Sequence, residues 1–316
     1  MDIKAGGSPK LSLFREEITD WASWGRVFQS VEAFAPLIRH VYELHGLPAA
    51  DIERLTPGTN AVFRLGETVV KIYSPKESGN QQDMRELFAM RRAEKAGVRV
   101  PKVLAHGKIG DKYDFDYIVM EFAQGKEAGE ALPNMSHAER ASFFGELREN
   151  LRALNTQTEV GNVPWDMVSV IEENRRWDGF DAGLRREIIS WAKGLDKREW
   201  VFVHGDLTGE NLLIEKKGGI QMIDFGDCHM APFYCEWPPI AAELLCWDEG
   251  MIAQYFAKEL EEGTFLPNLA RAICLHDFGG DFLKNICADM NEFPKNVKTM
   301  DDVRGLVHRR LGGLAR

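Results

Sequence analysis

Residues 203–227 read VHGDLTGENLLIEKKGGIQMIDFGD, and within them His204, Asp206, Asn211, Asp224 and Asp227 sit among two short apolar runs. Carboxylates set against strand-like segments are costly unless they are paired, hydrogen-bonded or holding a cation. The stretch therefore asks for a partner. Lys217-Gly218-Gly219 supplies a turn between the runs, so two short strands in a hairpin are expected. The hairpin returns the chain so that Asp224 lies near Asn211 and Asp206.

Outward from the hairpin, the chain after Gly125 has a helical texture: SHAERASFFGELRENLRALNTQ (136–157), AGLRREIISWAKGL (182–195), IAAELLCWDEGMIAQYFAKEL (240–260) and LARAICLHDFGGDFLKNI (269–286) all read as helices. REWVFVHG, at 198–205, is the other strand-like interruption. A second string that looks like 224–226, Asp277-Phe278-Gly279-Gly280, lies in a helical pattern without a preceding strand and reads as a helix end. Before Gly125 the order is different. Residues 11–46 carry apolar residues at three- and four-residue spacing and stop at Gly46, predicting a helix. IERLTPGTNAVFRLGETVVKIYS (52–74) predicts strands around a Gly66-Glu67 turn, 81–96 a helix closing at Gly97, and 100–109 and 113–122 two further strands. A small antiparallel sheet thus precedes a mainly helical part, an α+β arrangement with the parts meeting at residues 121–126.

Length and composition fit two such parts. The 316 residues are 44% hydrophobic and 28% charged, as in an ordinary globular protein. The net charge of −10 argues against a nucleic-acid-binding surface and favours small cationic ligands. Five cysteines, all in the last third and without CxxC spacing, argue against a disulfide framework or a zinc site. With no run of 18 apolar residues and no signal-peptide pattern, the expected place is the cytoplasm, away from membranes.

A carboxylate and an amide as oxygen donors suit Mg²⁺, which keeps several waters and takes one or two carboxylates plus substrate phosphates. Asp224 and Asn211 fit that description, and Asp206 is left to orient or deprotonate an attacking hydroxyl. HGDLTGEN followed by IDFGD resembles the aminoglycoside phosphotransferase and choline kinase family, distant relatives of protein kinases, whose motifs are H-R-D-x-x-x-x-N and D-F-G. The resemblance implies a protein-kinase-like bilobal fold with its site between the lobes, Asp206 as catalytic base, and Asn211 and Asp224 as Mg²⁺ ligands. It divides the chain into a helical extension (1–50), a nucleotide-binding N-lobe (51–123) and a catalytic, substrate-binding helical C-lobe (124–316).

The resemblance recurs upstream. Lys71 in VVKIY would bind the phosphates of ATP or GTP, Glu86 on the following helix would pair with it, and backbone groups of Glu121 and Ala123 in VMEFAQG would hold the base. Taken singly, Lys71 reads as a solvated strand lysine and Glu86 as an exposed helix residue; their order gives them value. Three departures stand out. The phosphate loop has only Gly58 before the strand, shifting contacts to Thr59 and Asn60; the first large-lobe helix ends in Leu154-Asn155 where many family members have Leu-His; and Glu236 in PFYCEW stands in loosely for a family aspartate. The resemblance implies phosphoryl transfer to a hydroxyl of a small molecule, aminoglycoside-like or another amino alcohol or sugar. Its acceptor would be met by C-terminal acids including Glu236, Glu243, Asp248, Glu249, Asp277 and Asp281. The rival is a nucleotide-binding regulatory protein with little turnover, which would require a lost catalytic group.

Overall fold

The computed structural model describes residues 12–55, 58–79, 85–157 and 171–314. These form two compact units: the described residues up to Phe88 together with Pro101–Ala123, and Ala89–Val100 together with those from Gln124 onward.

The first unit is built on an antiparallel sheet of β1 (Ile52–Arg54), β2 (Ala61–Leu65), β3 (Thr68–Ile72), β4 (Val103–Gly110) and β5 (Asp114–Glu121), in the order β1-β2-β3-β5-β4. The central β3 is buried along its whole length, whereas β2 alternates, as expected of strands nearer the middle and nearer the edge. The expected helix over 11–46 is instead an irregular segment followed by two helices, α1 (Trp21–Val27) and α2 (Val31–Leu44). Caps explain the division. Asp20 and Ser23 form a capping box at the start of α1, and the Ser30 hydroxyl accepts from Ala33 N–H at the start of α2.

In α2, Phe34, Leu37, Ile38, Val41 and Tyr42 are buried at the i, i+3, i+4, i+7, i+8 positions of one helix face. Burial of each such side chain is worth about 1.5–3 kcal/mol. The Asp111 carboxylate, in the β4–β5 turn, accepts from Leu13 N–H (2.9 Å) and Phe14 N–H (2.7 Å), and the Tyr113 hydroxyl accepts from Ile18 N–H at 2.8 Å. These bonds draw Phe14 and Ile18 into the same core. The described part of residues 1–50 is therefore integral to the first unit.

The second unit contains the hairpin of β8 (Leu212–Ile214) and β9 (Ile220–Met222), with β6 (Lys126–Glu127) on its outer side. The expected turn is present, with Gly218 and Gly219 at φ 82° and 109°. Gly219 has a further reason to be glycine: a Cβ there would lie 1.6 Å from Arg99 Nη1, which donates to Glu215 and to the Gly218 carbonyl. A second small pair, unforeseen, joins β7 (Val201–Val203) to β10 (His229–Ala231).

The helix expected over 81–96 is α3 (Arg85–Lys95), residues 81–84 lying outside the described residues, and the helices α4 (His137–Leu154) and α5 (Ala182–Lys193) match expectation. The segment 240–260 does not form one helix: Ile240–Leu244 is π-helical, Cys246 and Trp247 have positive φ, and α6 (Glu249–Tyr255) starts afresh with Asp248 as its cap. Likewise 269–286 divides at His276 into α8 (Phe265–Leu275) and α9 (Gly279–Asp289), with α7 (Ala257–Glu261) before them. Among the described residues no helix is long and apolar enough to cross a membrane.

Phe34 tests whether the N-terminal helices are core. Its fully buried ring lies 5.0 Å from Phe14, 5.9 Å from Trp24 and 5.7 Å from Phe63. Phe34→Ala is expected to lose about 3–5 kcal/mol in chemical denaturation. A loss below about 1 kcal/mol would show that α2 only decorates the sheet.

Candidate active site

The hairpin positions the acids. Beyond the Leu212–Met222 pair, Ile223 N–H donates to the Asn211 carbonyl at 3.0 Å, so Asn211 sits opposite Ile223 and one step from Asp224. The Asn211 amide nitrogen donates to the Asp206 carbonyl oxygen (2.9 Å) and to Asp206 Oδ2 (2.8 Å), leaving Oδ1 as the amide atom for a cation. Asp224 is exposed and has a left-handed backbone, φ 57° and ψ 70°. For a residue with a Cβ that conformation is uncommon and costs about 1–3 kcal/mol, and such strain gathers at functional sites.

Burial pushes the Asp206 carboxyl up, and the like charges of Asp227 and Asp224 add to it, taking it to about 7 against the opposing Asn211 hydrogen bond. Three crowded acids next to an amide oxygen fit a hard divalent cation, whose charge would reverse that repulsion. Among the described residues no group of three or more His, Cys, Asp or Glu side chains could cage a metal alone. Mg²⁺ at Asn211 and Asp224 would draw its remaining ligands from phosphate and water.

The loop before Asp206 is held from beneath. Glu236, 1% exposed, accepts from His204 N–H (2.7 Å) and Asn155 Nδ2 (2.9 Å) through Oε1 and from Gly205 N–H (3.1 Å) through Oε2. Burial raises its pKa despite these three donors. Asn155 also donates to the Phe202 carbonyl at 2.8 Å. His204 Nδ1 accepts from Asp206 N–H at 3.3 Å, so its Nε2 carries the proton and donates to the Ile223 carbonyl at 3.1 Å. His204 thus links the residue after the loop's glycine to the residue before Asp224.

The acids expected to meet an acceptor divide by environment. Glu236 is buried beneath the loop, Asp248 caps α6, and Asp277 and Asp281 are engaged by Arg176. Of these four, only Glu236 is closed off by burial; Asp248 is exposed, and Asp277 and Asp281 keep partly exposed side chains beside their structural partners. Glu243 and Glu249 are exposed, and the charge of Glu243 contributes to raising Asp206.

In the first unit, Lys71 Nζ lies 2.7 Å from Glu86 Oε2, with side-chain exposures of 8% and 3%. The Tyr73 hydroxyl donates to the same Glu86 oxygen at 2.6 Å. The solvated readings of these two residues do not hold, because only a partner makes such burial tolerable. Thr59 is exposed, and its carbonyl accepts from the Trp24 indole N–H at 2.9 Å. Gly58 is also exposed, with open space where a Cβ would stand. Asn60 is buried, and its Oδ1 accepts from Ser74 N–H at 3.3 Å, which braces the loop. Glu121 N–H is committed to the Lys102 carbonyl at 2.9 Å, so Glu121 has its carbonyl, and Ala123 its backbone, to offer a base.

Comparison with known proteins bears on the family and the fold. The model of the phosphotransferase enzyme family matches residues 51–271. A search of curated proteins finds no significant match. Among solved structures, a thermostable mutant of aminoglycoside phosphotransferase APH(4)-Ia is similar with a TM-score of 0.57 at 18% identity, over 88% of this chain and 98% of that one. The GDP complex of aminoglycoside 2'-phosphotransferase-IIIa gives 0.52 at 13% identity, over 88% and 98%. A GDP and kanamycin complex of APH(2")-IIia gives 0.56 at 15%, over 88% and 99%. At these identities the likeness concerns the fold, which is the α+β kinase-like one.

Asn155 and Glu236 act as one unit in this geometry, so their substitutions should not add. A double-mutant cycle of Asn155→Ala and Glu236→Gln, read by denaturant unfolding, is expected to give a coupling of about 1–3 kcal/mol. Additivity within about 0.3 kcal/mol would dissolve the pair.

Proposed function

Because the chain belongs to the phosphotransferase enzyme family, we propose that it moves the γ-phosphoryl group of ATP or GTP, with Mg²⁺, to a hydroxyl of a small molecule. The observation that carries this reading is the Asp206–Asn211 contact at the open end of the hairpin, with Asp224 beside it. A carboxylate that burial holds above its usual range suits a general base. Asp206 would accept the hydroxyl proton as the acceptor oxygen bonds to phosphorus and the nucleoside diphosphate leaves. Asn211 and Asp224 would hold Mg²⁺, which when bound neutralises phosphate charge.

For the nucleotide, the proposed contacts are Lys71, aligned by Glu86, the Gly58–Thr59 backbone, the Glu121 carbonyl and Ala123. The Lys71 ammonium is fixed by the 2.7 Å pair and does not have to be ordered at the moment of reaction. The crowd of acids around Asp206 favours an acceptor carrying positive charge, an aminoglycoside-like or other amino alcohol, or a sugar bearing an amine. Kanamycin and hygromycin B, named in complexes of similar structures, belong to that chemical class.

The decisive experiment measures nucleotide consumption against a panel of aminoglycosides, choline and sugars. At least one amine-bearing acceptor is expected to accelerate it, and Asp206→Asn to lower kcat by about 10²–10⁴ while ATP affinity holds. Near-wild-type kcat in a folded Asp206→Asn protein would move the base elsewhere. Thermal shift gives a second check: ATP with Mg²⁺ should stabilise the wild type more than ATP alone, and Asp224→Ala should abolish the difference. An unchanged difference would remove Asp224 from the metal role.

A further inference from the structure

The string at 276–280, His-Asp-Phe-Gly-Gly, has no part in the site described so far, yet its histidine reaches the catalytic loop. His276 follows the last turn of α8 in extended backbone, is 1% exposed, and lies 2.9 Å through Nε2 from the Gly205 carbonyl oxygen. Its Nδ1 accepts from Phe278 N–H at 3.1 Å, so the proton resides on Nε2, which donates to Gly205.

The peptide unit that begins with the Gly205 carbonyl ends with Asp206 N–H, and that N–H donates to His204 Nδ1 at 3.3 Å. One peptide plane is therefore gripped at both polar ends by two neutral imidazoles. Because the peptide is planar and stiff, fixing both ends fixes the plane, and with it the Cα from which the Asp206 carboxylate projects. Gly205 has φ 84°, and a Cβ on it would lie 2.4 Å from the Asp227 carbonyl oxygen, so the plane is also packed from the side.

We infer that His276 is a positioning residue for phosphoryl transfer, its Nε2–H holding the Gly205–Asp206 peptide so that the base keeps a single orientation. The inference rests on the phosphotransferase reading.

The corner that carries His276 is built closely. A Cβ on Gly279 would lie 1.8 Å from the Ile273 carbonyl oxygen, and one on Gly280 would lie 2.3 Å from that of Arg176. The Asn174 amide donates to the Asp277 carbonyl at 2.6 Å and to its Oδ1 at 2.9 Å, and Arg176 pairs with Asp281 at 3.0 Å. Burial, with the neighbouring His229, takes His276 down to about 3, which keeps it neutral and the donor on Nε2 in place across the working range.

The test compares His276→Leu, which removes the donor, with His276→Gln, whose amide nitrogen has similar reach. With the acceptor that the wild type uses, His276→Leu should lower kcat about 10- to 100-fold and leave the nucleotide KM and affinity within about twofold, and His276→Gln should recover most of the loss. A merely structural bond would lower stability without that split. Wild-type kcat in folded His276→Leu overturns the inference and leaves the phosphotransferase reading standing, whereas a wild type that transfers phosphate to no acceptor removes both. Should His276→Leu not fold, ¹⁵N imidazole NMR of the wild type decides the geometry. The His276 resonances should show the neutral Nε2–H form from pH 5 to about 8. An Nδ1–H tautomer, or titration within that range, overturns the clamp.

Discussion

Two successive backbone N–H groups, those of His204 and Gly205, point into the protein where water cannot reach them, and the buried Glu236 carboxylate is the acceptor for both. Buried amides must be satisfied, and here the strand ladder cannot do it because the chain leaves β7 to form the loop. A carboxylate offers two oxygens and so can serve adjacent donors at once, where a hydroxyl or amide oxygen serves them poorly. The charge is costly to bury, and Asn155 offsets part of that cost from the end of α4. The shape of the loop, and hence the direction of Asp206, follows from this arrangement.

Above the loop the balance is reversed. Asp206, Asp224 and Asp227 repel one another, and Asp224 sits in a strained backbone conformation. Neither feature contributes to stability, and both are tolerated because the rest of the unit fixes them: the hairpin register aligns Asn211 with Ile223, and His204 ties Ile223 to the loop. The underside is satisfied, and on the upper side the like charges that raise Asp206 make the setting in which a cation adds most.

Much of this was legible in the sequence because it is local. The hairpin turn at Lys217-Gly218-Gly219 and the spacing from Asp206 to Asn211 are set by strand and turn chemistry over short stretches, whereas the Lys71–Glu86 pairing was legible only through the family resemblance. What escaped depends on contacts far apart in the chain. The Oδ1 of Asn60 is tied to Ser74 N–H, fourteen residues on. Arg176 stands beside Asp277 and Asp281, a pairing that no local pattern announces. Helical periodicity ran straight through Ser30 and Cys246-Trp247, because apolar spacing says which face is buried and little about where a cap or a strained turn ends the helix, whereas the helix end read at Asp277–Gly280 is borne out.

The two departures from the family pattern at 155 and 236 become intelligible together. Where many family members carry a histidine after the leucine that ends the first large-lobe helix, this chain has the shorter asparagine; where an aspartate is common, it has the glutamate, longer by one methylene. The 2.9 Å contact between Asn155 Nδ2 and Glu236 Oε1 joins the two positions. The longer acid also spans to both the His204 and Gly205 N–H groups, while Asn155 keeps its second hydrogen bond to the Phe202 carbonyl. Removing either partner would leave a buried polar group of the other unsatisfied, at a cost of about 1–3 kcal/mol. Seen singly, each residue weakened the motif, whereas as a pair they preserve the support on which Asp206 stands.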